Sequence, residues 1–464
     1  MAAEKKQNVT TFGMRDKLGY MFGDIGNDFT FILSSSFLMK FYTDVMGVDG
    51  FIVGIIMMIA RFVDAFTDVT MGRICDKSKT TPAGKFKPWI RRMCGPVAIS
   101  SFLIYQSSLA DMPMAFKIGY LFVTYILWGS IFYTSINIPY GSMASAISPE
   151  PGDRQSLSTF RTMGGNLAGV FIGAGIPMLA YDNVNGNSVL NGSRFTVISG
   201  LCSVLAVICY LFCYNMTTER VKQKSSPEQE KNSVFVMLKN AVKNRALISI
   251  IAASIVMLLA QLTLQSMANY VYPNFYGNTT AQSLSNIIMM VAMFIAAAIA
   301  KPLANKIGKA EMSVLACIFA AAICLILFFV RPENVWVYVA MMGFCWFGLG
   351  MFTMVSWALI TDVIDYSEIK NGVREDGSVY ALYSFARKLG QAASSGLSGA
   401  LLSLVGYTQT TAFDKDVVNG VFNISTIVPA IGFILLALVL WFWYPLHKKQ
   451  VDENVAILKK KRDN

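Results

Sequence analysis

IMMIARFVDAFTDVTMG, from Ile56 to Gly72, sets Asp64 and Asp68 inside a stretch otherwise apolar enough to cross a bilayer. A carboxylate at mid-bilayer costs about 2.5–3.5 kcal/mol even on the lenient insertion scale, so such groups persist mainly where they face a polar cavity. Asp28 lies in the same way in the first apolar stretch. The chain is therefore expected to form a pathway for ions or polar solutes.

Composition agrees with that placement. Of 464 residues, 54% are hydrophobic and 14% charged, against about 25% charged in a soluble domain. Apolar stretches long enough for a hydrocarbon core of about 30 Å recur near 18–44, 50–72, 89–109, 115–140, 161–182, 196–216, 246–271, 280–301, 311–330, 335–361, 379–405 and 418–445. An all-α integral membrane protein with twelve transmembrane helices is expected.

Lys and Arg sort by loop. With both termini cytoplasmic, 31 of the 39 fall on the inside and four, Lys117, Arg194, Arg331 and Lys415, on the outside. The remaining four, Lys40, Arg61, Arg387 and Lys388, lie within spans. That bias is the positive-inside pattern, and it accounts for the net charge of +11 with no nucleic-acid partner. The eight cysteines form no CxxC pair or metal-ligand spacing and read as small apolar packing residues. The polar start MAAEKKQNVTTFGMRDK has no cleavable leader, so the first span is expected to begin insertion itself.

The longest polar stretch, 217–246, divides six spans from six. It reads as a cytoplasmic linker between an N-terminal half, 1–216, and a C-terminal half, 247–446, with a cytoplasmic tail at 447–464. A weak repeat supports the division: GRICDKSKTTPAGKFKPW follows span 2 as AKPLANKIGK follows span 8. Two similar halves around a midplane site is a transporter pattern.

Asp64 and Asp68 are four apart and share one helix face, with Thr67 adjoining. Two like charges so close repel unless a cation or proton sits between them, and oxygen ligands suit a hard ion such as Na+. Lys388 in span 11 is the natural counter-charge; the structural alternative is a buried carboxylate-to-lysine bridge. The sole histidine, His447, ends the last span, so proton coupling would have to use a carboxylate. Asp24, Asn27 and Asp28 in span 1, and Gln261, Gln265 and Asn269 in span 7, make polar stripes suited to sugar hydroxyls, although interhelical hydrogen bonding explains the span 7 stripe equally well. Tyr133 and Trp357 could pack on a pyranose ring, or serve as ordinary packing or interface anchors. Asp362 and Asp365 with Lys370 and Arg374 at the end of span 10, and Arg154 and Arg161 at the end of span 4, could form a reversible cytoplasmic gate; the alternative is solvated loop charge.

Several blocks carry a resemblance over nearly the whole chain, from Leu18 to Tyr444. They are KLGYMFGDIGNDF, FYTDVMGV, ARFVDAFTDVTMG, GKFKPWI, VTYILWG, NIPYGS, TDVIDYSE and GVREDGSVYALYSFARKLGQA followed by LVGY. The chain resembles the glycoside-pentoside-hexuronide:cation symporters, a branch of the major facilitator fold that includes melibiose permease. ARKLGQA, WALITD and WFWYPL are most similar to the glucuronide carriers of that family. The resemblance implies a cation-binding set of Asp64, Thr67, Asp68 and Thr134, and a substrate-binding set of Asn27, Asp28, Tyr133, Asn137, Arg161, Trp357, Ser384 and Lys388. It further implies no cofactor beyond a coupling cation (Na+, Li+ or H+), a small-molecule glycoside as partner, and a monomer in a bacterial inner membrane. Departures are informative: Thr67 stands where melibiose permease has a sodium-holding asparagine, Asn137 replaces a second sugar-binding aspartate, Gly141 a tryptophan and Asn27 a lysine. These argue against melibiose, and the positive charge of Arg387 beside Lys388 favours a uronate, a β-glucuronide being the narrower expectation ahead of pentosides.

Other functions fit less well. The sequence has no HExxH motif, nucleophile elbow or usable catalytic histidine, so an intramembrane enzyme lacks its constellation. A sugar sensor would be expected to carry a larger signalling domain than the short tail after Tyr444. A lipid or drug exporter on the same fold would have an apolar cavity.

Overall fold

Twelve long helices run through the computed structural model, which describes residues 11–221, 244–371 and 376–463. They are α1 Met14–Asp44, α2 Gly50–Lys77, α3 Lys87–Ile104, α4 Met114–Ile147, α5 Pro151–Leu179, α6 Gly192–Met216, α7 Arg245–Phe275, α8 Thr279–Ile307, α9 Lys309–Val330, α10 Val335–Asn371, α11 Asp376–Leu404 and α12 Lys415–Trp443. Among the described residues, nine of these are long and apolar enough to cross a membrane outright. The other three, α1, α3 and α11, carry more of the charged and polar residues. The chain is an all-α multi-pass membrane protein. Every cysteine is free and buried.

The structure adds two elements that hydropathy does not announce. A hairpin of β1 Tyr181–Val184 and β2 Asn187–Leu190 turns at Asn185 and Gly186, both at positive φ, the backbone that a two-residue hairpin turn demands. The tail after span 12 forms a helix, α13 Lys448–Asp463, seated by buried Asn454 and Leu458.

By contacts the chain divides into two compact units. The first takes in the described parts of Met1–Leu38, Val63–Ile172 and Gly192–Gln229; the second takes in those of Met39–Phe62, Gly173–Asn191 and Glu230–Asn464. In the first unit, glycines let helices approach. A Cβ on Gly164 would stand 2.6 Å from the Met21 carbonyl oxygen, and one on Gly165 2.7 Å from Asp28 Oδ2. These positions bring α5 directly against the polar stripe of α1.

Most of the expected linker, 217–246, lies outside the described residues, but its start is pinned within the first unit. Glu219 accepts backbone N–H groups from Lys85, Phe86 and Lys87 at 2.7–2.9 Å, a carboxylate seated on the N-terminus of α3 where the unsatisfied amides and the helix dipole favour it. Arg220 closes the same region onto Asp16 at 2.8 Å.

In the second unit, the start of α2 packs on α11 through glycines on both helices. A Cβ on Gly54 would lie 2.8 Å from the Ser395 carbonyl, and Gly399 meets Gly50 more closely still. Beside this contact, Lys40 near the end of α1 is 1% exposed. It pairs with Asp44 at 2.6 Å and donates to Asn274 Oδ1 at 2.7 Å and the Tyr407 hydroxyl at 2.9 Å, with its Nζ 4.4 Å from the centre of the Tyr270 ring.

Candidate functional site: a carboxylate–hydroxyl ladder and two arginine clusters

Helical periodicity builds the first cluster. Asp64 and Asp68, one turn apart on α2, face Ser130 and Thr134, one turn apart on α4. The Ser130 hydroxyl donates to Asp64 Oδ1 at 2.5 Å, and the Thr134 hydroxyl donates to Asp68 Oδ1 at 2.9 Å. The two rungs stand where α4 changes to a wider π-type coil over Leu127–Tyr133, a local distortion that recurs at functional positions because it re-aims side chains. Gly129 adjoins the first rung, since a Cβ there would make ordinary contact with Asp64 Oδ1 at 3.7 Å. Thr67 donates its hydroxyl to the Asp64 backbone carbonyl at 3.2 Å, leaving its oxygen as an acceptor. These bonds bring together two carboxylates and three hydroxyls, oxygen donors of the kind that hard monovalent cations and protons favour.

The second cluster joins α1, α4, α5 and α6. Arg161 Nε donates to Asp24 Oδ1 at 2.8 Å, and the guanidinium lies 5.2 Å from the centre of the Tyr140 ring. Tyr140 stacks on Tyr20 with centroids 4.6 Å apart, and the two phenols donate to each other's backbone carbonyls. Asp28, one turn beyond Asp24, flanks Gly165 together with it. The Asn27 amide oxygen accepts from the buried Tyr210 hydroxyl at 2.9 Å. Tyr133 stacks on Phe31 at 5.5 Å, and Asn137 lies half-buried one turn further along α4. The first unit thus gathers Asn27, Asp28 and Arg161 with Asp24, which the resemblance did not assign to the substrate set. Two carboxyl groups and one guanidinium stand beside a set of hydroxyl and amide groups.

In the second unit, α10 and α11 bring together Trp357, Tyr383 and Arg387. The two rings meet edge to face with centroids 5.0 Å apart, and the Arg387 Cζ lies 5.8 Å and 6.0 Å from the Trp357 and Tyr383 ring centres. Ser384 and Lys388, one turn apart, are half-buried along the adjoining face of α11.

The remaining expected residues fall in both units. Asp362 is buried and receives Lys309 Nζ at 2.6 Å, Asp365 is half-buried, and Arg154 Nε donates to the Ser148 carbonyl at 3.0 Å. Arg374 falls outside the described residues. Asn269 of the span 7 stripe accepts from Gln282 Nε2 of α8 at 2.7 Å, an interhelical hydrogen bond.

Ser130 and Tyr383 went unnoticed in the sequence. Ser130 precedes Thr134 by one helical turn and could have been found from that spacing alone. Tyr383 precedes Arg387 by one turn, but a lone tyrosine in a span gives no signal until its neighbours are known.

Comparison with known proteins places this geometry. A family model described as MFS/sugar transport protein matches residues 19–448. An uncharacterized symporter of Bacillus subtilis (strain 168) is 30% identical over 466 residues, covering 99% of each chain. A glucuronide carrier protein homolog of Escherichia coli (strain K12) is 29% identical over 452 residues, covering 95% of this chain and 94% of that protein. The fold is shared with the crystal structure of a D-xylose–proton symporter, at a TM-score of 0.65 and 15% identity over 93% of this chain and 98% of that one.

Proposed function

The chain belongs to the MFS/sugar transport protein family, a transporter and not an enzyme, and on that premise we propose that it carries out cation-coupled symport of a glycoside. Na+ or H+ is the driving ion, and a β-glucuronide is the favoured solute.

The observation that carries this reading is the α2–α4 ladder. Two carboxylates of like charge, one helical turn apart, are met by two hydroxyls, and they are most stable with one positive charge between them. A cation or proton there lowers the cost of the buried charge, so loading couples naturally to the conformational change. The polar set around Asp28, Asn27 and Arg161 supplies acceptors and donors for sugar hydroxyls. Trp357, with Ser384 and Lys388, supplies an aromatic face and further donors. The glucuronide named for one relative supports a uronate as the solute.

In this reading the six-helix halves, 1–216 and 247–446, joined through 217–246, alternate access to a midplane site. The charges at Arg154, Asp362, Asp365 and Arg374 act as a cytoplasmic gate. The excess of Lys and Arg in one set of loops supports cytoplasmic termini, and the bacterial relatives support a bacterial plasma membrane. A working monomer completes the proposal.

Transport into proteoliposomes tests the proposal. Radiolabelled phenyl β-D-glucuronide should accumulate above its outside concentration when an inward Na+ or H+ gradient is imposed, and should only equilibrate without one. Equilibration unaffected by either gradient would refute symport; no entry of any glycoside through folded protein would refute the sugar reading.

A further inference from the structure

Three cations borne on the long helices, Lys40, Arg161 and Arg387, can be compared by how their donors are used. Lys40 is enclosed by Asp44, Asn274 and Tyr407, and Arg161 is held by Asp24. Arg387 differs: among the described residues it pairs with no carboxylate, and its neighbours are the ring faces of Trp357 and Tyr383. A guanidinium within a span is costly, and cation–π proximity to two rings uses none of its five N–H donors. A second observation marks the same place. The Tyr383 ring is fully buried, yet its hydroxyl has no hydrogen-bond partner among the described residues, and a buried polar group left so calls for a ligand or another explanation.

We propose that Arg387 is the specificity-determining residue that makes the solute site prefer sugars bearing a carboxylate or sulfonate over neutral sugars of the same shape. The planar fork of the guanidinium matches the paired oxygens of such an anion. Trp357 is 41% exposed and offers an apolar platform for the pyranose whose charged end Arg387 takes. Tyr383 and Arg387 are one turn apart, and so are Ser384 and Lys388, which gives α11 two adjoining stripes of donors. Lys388 is a point charge, whereas the planar fork of Arg387 is the group that selects for oxygen pairs. The inference rests on the sugar-transport reading proposed above and names the residue that selects the charged sugar.

The test uses two ligands that share an aglycone and a pyranose ring, 4-nitrophenyl β-D-glucuronide and 4-nitrophenyl β-D-glucoside, titrated calorimetrically into purified full-length protein. Wild type should favour the glucuronide. In Arg387→Gln the glucuronide-to-glucoside affinity ratio should fall by about ten- to a hundredfold, the range expected for losing hydrogen bonds to a charged group. Arg387→Lys keeps the charge without the fork and should give an intermediate ratio; it also carries the test should the glutamine variant fail to fold. An unchanged ratio in either folded variant overturns the proposal, as does a wild type that binds both ligands equally, and in both cases the sugar-transport reading stands. Binding of neither ligand by folded wild type overturns that reading itself, and the present inference with it.

Discussion

Lys40 and Asp44 on α1 are four residues apart, and so are Asp64 and Asp68 on α2. The same helical spacing serves opposite ends. On α1 the pair carries opposite charges, buried together at 2.6 Å and enclosed by Asn274, Tyr407 and the Tyr270 ring; such a pair is neutral by itself and suits a structural joint. On α2 the pair carries like charges and is faced by the hydroxyls of Ser130 and Thr134. Like charges one turn apart repel, so this pair favours a positive charge between its members. Sign at fixed spacing, more than burial, separates a joint from an ion site.

Breaking the joint should have the largest effect on stability. Lys40→Met leaves the Asp44 carboxylate buried without its cation, and removing one partner of a buried pair costs about 3–5 kcal/mol. A drop in the melting temperature of detergent-purified protein checks this. Replacing both residues, Lys40→Met with Asp44→Asn, should recover a good part of the loss; failure to recover it would mean that the network is more than a charge pair.

The ladder should respond differently. Ser130→Ala and Thr134→Ala each delete one hydroxyl from a carboxylate, an interaction worth about 1.5–3 kcal/mol when one member is charged. Each is expected to weaken the apparent affinity for the coupling cation about tenfold or more, read as the half-saturating Na+ concentration, or the midpoint pH, of glycoside uptake. The melting temperature should shift far less than in Lys40→Met. A variant that melts early and keeps its cation affinity would reverse the roles assigned to the two pairs.

Smaller effects follow from tight approach and from local bonding. Gly165→Ala pushes a methyl group toward Asp28 and Asp24, and overpacking of this kind costs about 1–3 kcal/mol. It should raise the half-saturating glycoside concentration more than the half-saturating cation concentration. Thr67→Ala removes a hydroxyl that donates within its own helix. It should change cation affinity less than Ser130→Ala does, and a larger change would make Thr67 a direct ligand.

Much of this was legible in the chain. Spans of apolar residues punctuated by basic loops foretell the twelve helices, because length and hydropathy are local properties. The i, i+4 carboxylates of α2 and the polar stripe of α1 could be placed on single faces for the same reason. What faces those stripes was harder to read. Ser130 meets Asp64 only because α4 widens over Leu127–Tyr133, and that depends on packing against α2. Lys40 reads in sequence as a stray charge within a span; its partners Asn274 and Tyr407 lie more than two hundred residues away. Arg387 beside Lys388 was visible as charge, but its seat on Trp357 and Tyr383 appears only once α10 and α11 are folded. The hairpin at Asn185–Gly186 and the helix of the basic tail were short signals amid stronger apolar ones.

The central claim is that the ladder holds the coupling cation. By linkage, a cation that drives symport must also raise glycoside affinity, and the glycoside must raise cation affinity by the same factor. Calorimetric titration of phenyl β-D-glucuronide at low and high Na+, and at two pH values, measures this directly in wild type and Asp68→Asn. The account predicts tighter binding with Na+ or at lower pH in wild type, and an affinity indifferent to both in the variant. Glycoside affinity that ignores Na+ and pH in wild type, or that responds equally in Asp68→Asn, would contradict it.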